Sequence, residues 1–225
     1  MKKSKMIKIL TVLMCFFMFS SSVVAEEIAA NNDDQLSLLL NDINNEYGTN
    51  FHILSDSELE YYGIPKTIPQ KLSSSELNDL EQYLRYIAEI KMPEFEKETQ
   101  EALSIMKNVE ENVVNKDGLV KNSIMSNNTI VARRAINYAT AIAEAYTIKD
   151  FYGNTIWGSV VHAACSSNMY QPIWFLAPSP TVQHIDRGRT LLWTGEGDYF
   201  SYVNGTQIYL GSGTQHTELY IKSYI

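Results

Sequence analysis

The spacing of apolar positions divides the chain into three blocks. The first is a largely apolar run of 11 residues, Ile9 to Phe19, behind a start carrying four lysines and ahead of Val23-Val24-Ala25. A basic start, a short apolar stretch and a small-residue step make the pattern of a secretory signal peptide, so residues 1–25 are expected to be cleaved off. The run is too short for a spanning helix, which needs about 20 apolar residues.

The second block has helical spacing. Residues 26–34 read as a flexible polar leader. Leu36, Leu39, Leu40, Ile43 and Tyr47 then recur every three or four positions, with Asp33 or Asp34 as cap and Gly48 as stop. Thr49 to Leu54 suits a short extended piece. Ser55-x-x-Glu58 and Ser73-x-x-Glu76 are capping boxes, each opening a helix. The second of these helices carries Leu77, Leu80, Leu84, Ile87 and Ile90 on one stripe. Pro93 then predicts a fresh helix with proline in its first turn, ending near Asp117-Gly118. Residues 35–120 are therefore expected to be helical and to pack as a small bundle or antiparallel hairpin. Residues 121–128 are polar and read as a linker.

The third block has strand periodicity. Ile136, Tyr138, Thr140, Ile142, Tyr146 and Ile148 share one parity, with alanines on the other. An alanine-rich helix competes, but the β-branched and aromatic side favours a strand over 136–148. Further short extended segments follow, at 155–164, 173–176, 181–185, 190–194, 199–203, 206–210 and 217–224. Turns are expected at Gly153-Asn154, Arg187-Gly188-Arg189, Gly195-Glu196-Gly197-Asp198 and Gly211-Ser212-Gly213. Asn204-Gly205 is the strongest hairpin signal in the chain. Residues 129–225 thus predict an antiparallel β-sandwich, and the whole an α+β chain.

Charge sharpens this division. Residues 26–125 hold 20 acids and 8 bases, whereas residues 126–225 hold 6 of each. So large a shift suggests two structural units. It also argues against nucleic acid as a partner, which would require clustered lysine and arginine. Cys165 is the one cysteine left after signal removal, so no disulfide forms within the mature chain.

The candidate chemistry is sparse. A thiol hydrolase needs Cys165 beside a histidine base, and His162 falls on the opposite strand face. No G-x-S-x-G elbow exists, nor any H-E-x-x-H, C-x-x-C or EF-hand spacing. His184-x-Asp186 and the pair Glu196 and Asp198 are the nearest approaches to metal ligands, and no metal or other cofactor is implied. Aromatic enrichment in the third block is the remaining signal. Trp157, Trp174, Trp193, Tyr199 and Tyr202 are candidate ligand-binding rings if exposed, against the alternative that strands simply bury them. The expected function is a secreted, extracellular, non-enzymatic binding protein at or outside the bacterial cell surface. Its partner would be a cell-surface polymer or a protein, with no stable membrane insertion of the mature chain. The alternatives are a secreted toxin or bacteriocin-like protein and an extracellular hydrolase.

Overall fold

A computed structural model of the chain describes residues 34–113 and 125–221, with side chains described outside 110–128. The signal segment, the leader to residue 33 and the expected helix stop near Gly118 lie outside the described residues.

Helix α1 spans residues 34–47. It buries Leu36, Leu40 and Ile43, one stripe at helical spacing. The strand β1 (His52–Ile53) follows. Both capping boxes form as expected. Ser55 caps α2 (Asp56–Tyr62) and Ser73 caps α3 (Ser74–Tyr86), each reciprocally with its glutamate. Gly63 ends α2 at φ 65°, a left-handed conformation that glycine adopts without a Cβ penalty.

Pro93 does not start a separate helix. The chain stays helical from Ser74 to Val113, passing through a π turn (Ile87–Lys91) into α4 (Met92–Val113). A proline inside an α-helix lacks its N–H, and its ring meets the carbonyl four residues back. The wider turn sits immediately ahead of Pro93, with the Met92 N–H bonded to the Ile87 carbonyl.

The C-terminal half forms two antiparallel sheets, giving an α+β architecture with a β-sandwich. The smaller sheet is β2 (Met125–Ile136), β3 (Ala139–Lys149) and β4 (Thr155–Ser166), in that order. The strand expected over 136–148 is real but is split by a turn at Asn137 and Tyr138. β2 starts at Met125, inside the stretch read as linker. The core face of β3 is the alanine face: Ala141, Ala143 and Ala145 are fully buried. The larger sheet runs β1, β8 (Thr206–Tyr220), β7 (Thr190–Val203), β5 (Trp174–Leu176), with β6 (Thr181–Ile185) also paired to β7.

Two expected turns are strand instead. β7 runs unbroken through Gly195–Asp198 and β8 through Gly211–Gly213. Glycine stands there because other groups approach the backbone. A Cβ on Gly197 would lie 2.0 Å from the Leu176 carbonyl oxygen, and one on Gly195 would lie 2.5 Å from the Trp193 ring. A Cβ on Gly213 would lie 2.8 Å from the Tyr199 ring and 2.9 Å from Thr99 Oγ1 of α4. The expected Asn204-Gly205 hairpin does form, with φ of 44° and 86°.

The helices have no bundle core of their own. Leu36, Leu40, Ile43, Leu84 and Phe95 belong to the same buried cluster as Trp193, Tyr199, Ile208 and the β3 alanines. Phe95 of α4 stacks flat on Tyr199 of β7, with ring centroids 3.9 Å apart. A smaller cluster, Leu54, Ile64, Trp174 and Phe200, lies where α2 and its flanks cover neighbouring strands.

Candidate functional site

The five aromatic positions singled out in the sequence are mostly core. Trp157, Trp174, Trp193 and Tyr199 are at most 2% exposed, and Tyr202 is half-buried. At the first four the alternative of buried strand aromatics holds, and they fill the space between sheet and sheet or sheet and helix. Trp193 Nε1 donates to the Ala164 carbonyl at 3.2 Å, tying the two sheets together. Trp174 stacks on Phe200 at 4.3 Å and donates to Gln207 Oε1 at 3.3 Å. Tyr202 meets Tyr170 edge-on at 5.4 Å.

Other sequence candidates are dispersed. Burial pushes the Cys165 thiol up, away from the thiolate a nucleophile needs. Its sulfur lies 3.8 Å from the Phe175 carbonyl oxygen and 3.9 Å from Ser167 Oγ. His184 Nε2 is 2.6 Å from the Gly158 carbonyl oxygen. Glu196 and Asp198 sit on a continuous strand, without the loop that would wrap a calcium ion. Among the described residues, no three His, Cys, Asp or Glu side chains group as metal ligands.

A groove of about 520 Å³ lies where three stretches meet. One wall is the chain leaving α1, with Tyr47, Thr49 and Asn50. The second is the start of α4, with Pro93, Glu96 and Thr99. The floor is β8 from Tyr209 to Ser212. Sequence positions this distant gave no sign of converging. Local chemistry holds each wall in place. Asn44 Oδ1 accepts from the Phe51 N–H at 2.7 Å and from Thr49 Oγ1 at 2.8 Å, fixing the first. Thr99 Oγ1 accepts from the Thr214 N–H at 2.9 Å, fixing α4 to β8.

A chain of polar side chains starts at the groove floor. Ser212 Oγ donates to Asp198 Oδ1 at 2.6 Å. Tyr62 of α2 donates to Asp198 Oδ2 at 2.8 Å. Burial, and then the carboxylate it serves, raises the Tyr62 phenol above its ordinary range. Because the Ser212 proton goes to the carboxylate, its 2.8 Å contact with the Tyr209 hydroxyl is one in which Tyr209 donates. His52 stacks on Tyr209 at 4.8 Å, and its Nε2 lies 3.0 Å from Glu58 Oε1.

Ser212 donates to Asp198, which Tyr62 also holds, and accepts from Tyr209, so its hydroxyl is fixed on both sides. The groove presents fixed hydroxyls and amides, the carboxylate of Glu96 and the rings of Tyr47 and Tyr209. Comparison of the chain with protein-family models, with curated proteins and with solved structures found no match.

Proposed function

We propose that this is a secreted, non-enzymatic binding protein acting at or outside the bacterial cell surface, with the groove between α1, α4 and β8 as its binding site. The groove carries the reading. It is open, walled by rings and by side chains with hydrogen-bonding capacity, and backed by β8 of the larger sheet. The signal-peptide pattern of residues 1–25 supports export. No helix among the described residues is long and apolar enough to cross a membrane. The partner class is a cell-surface polymer or a protein, met by ring stacking and hydroxyl or amide hydrogen bonds.

The test is co-sedimentation of the chain from Glu26 onward with purified bacterial cell walls, alongside a crosslinking pull-down. Asn50 and Glu96 are exposed on the groove walls, so N50A/E96A should fold normally. Loss of two polar contacts should weaken binding about tenfold or more. A wild type that captures neither wall material nor protein overturns the reading. A double variant that binds like wild type moves the site away from the groove.

A further inference from the structure

We propose that the tip of the β3–β4 hairpin docks this protein on an anionic lipid bilayer. The turn Asp150–Asn154 carries two neighbouring aromatics, Phe151 and Tyr152, that are 96% and 82% exposed. Large rings in water carry a free-energy cost that burial would remove. The turn holds them out. Asp150 Oδ1 accepts from the backbone N–H groups of Tyr152 and Asn154 at 2.9 and 2.8 Å, and Oδ2 accepts from Asn154 Nδ2 at 3.0 Å. The hairpin is closed below by the Asp150 N–H to the Asn154 carbonyl at 2.9 Å.

Around the base of this tip stands a cationic collar. Lys149 is exposed and donates to Thr155 Oγ1 at 2.7 Å. The turn Asp186–Gly188 lies against the first residues of β4: a Cβ on Gly188 would be 3.4 Å from Ile156 Cδ1. That turn brings the exposed Arg187 and Arg189 to the same end of the sandwich. Asn154 chiefly, with the charge of Arg189 also contributing, holds the Asp150 carboxyl below its usual range. The two acids at this end are both engaged, Asp150 within the turn and Asp186 by Thr190 Oγ1 at 3.2 Å. Among the described residues, three cations against two acids make this end positive, on a molecule of net charge −8.

Ring geometry selects the occupant. Phe151 and Tyr152 meet edge-on, with centroids 5.5 Å apart and planes at 87°. Perpendicular rings offer no common flat face on which a sugar chain could stack. Two rings on a turn are also far less than the roughly 800 Å² per partner that a stable protein interface buries. A bilayer interface makes neither demand. It takes Phe and Tyr at headgroup depth and rewards lysine and arginine beside anionic phosphates.

The experiment is vesicle flotation with the chain from Glu26 onward, which retains every described residue. Vesicles of phosphatidylglycerol and phosphatidylcholine in equal parts are compared with phosphatidylcholine alone. The wild type should float with the anionic vesicles, and added salt should weaken it. F151A/Y152A should lose about tenfold or more of the bound fraction, from two unburied rings, with its unfolding midpoint unchanged. R187Q/R189Q should lose the preference for anionic lipid. A wild type that does not float, or F151A/Y152A floating as well as wild type, overturns the proposal. So does binding to a soluble anionic wall polymer without binding to vesicles. Wall binding through Asn50 and Glu96 is read separately, so failure here leaves the groove reading standing.

Discussion

Glu58 closes two contacts at once. It completes the capping box of α2, accepting from the Ser55 N–H at 2.8 Å and from Ser55 Oγ at 2.6 Å, and it meets His52 of β1 at 3.0 Å. Hydrogen bonds from the Ser55 side chain, then from its backbone, bring the Glu58 carboxyl down to about 2, with His52 adding a smaller pull. The folded value lies below the ordinary 4.5, so the native state favours the ionised form. That stability is fully present above pH 4.5 and is lost as pH falls through about 2. The side chain is 39% exposed, and solvent screening limits the effect to about 1 kcal/mol. Urea unfolding of E58Q across this range should show a shallower fall in stability than wild type. Equal slopes would mean the box contributes nothing that depends on charge. Glu98 acts in the opposite sense, because burial raises its carboxyl, so the comparison between variants carries the test rather than the absolute slope.

Among the elements, glycines in strands are the most informative. Gly197 lets the end of β5 cross the backbone of β7, where a methyl group would strike the Leu176 carbonyl. Backbone cannot move aside as a flexible side chain can, so G197A should cost about 3 kcal/mol or more. Gly153 faces open space at φ 81°, so G153A should cost only the left-handed penalty of about 1–2 kcal/mol. Denaturant midpoints of the two variants check this; a G197A as stable as G153A would restore the turn expected from sequence. The comparison shows what sequence makes legible. The capping boxes at Ser55 and Ser73 and the Asn204-Gly205 hairpin were readable because their chemistry closes within a few residues. The glycines at 195, 197, 211 and 213 read as turns because their neighbours, Leu176, Trp193, Met92 and Tyr199, are set by tertiary approach. β2 escaped notice because Arg133, Arg134 and its asparagines break the apolar alternation. The groove was illegible for a related reason: Tyr47 reads as part of a helix stripe, Glu96 as helix surface and Ser212 as a turn until three elements meet. Phe151 and Tyr152 did carry a local signal, two aromatics beside the Gly153-Asn154 turn, where no core could take them.

At the scale of the molecule, acidic helices and neutral sheets look like separate units in sequence but share one hydrophobic core. All three tryptophans lie in the C-terminal half, and none lies in a helix. Tryptophan fluorescence therefore reports the sheets, while the far-ultraviolet helix signal reports α1 to α4. Both should be lost at the same denaturant concentration, as expected for a single cooperative unit. Two midpoints would show that the helices hold together without the sheets.

The central position of β8 has a consequence for the order of assembly. It is the last described strand in the chain, yet β1, β7 and α4 all rest on it. While the polypeptide is still emerging, α1, α3 and α4 lack the surface that buries their apolar stripes. Such helices are marginal in water without tertiary packing. The N-terminal half therefore stays slack until residues 206–220 arrive, and folding is completed from the far end of the chain. If the chain is exported through a narrow pore, as the proposed function implies, this delay keeps α4 from docking on β8 before residues 206–220 are through.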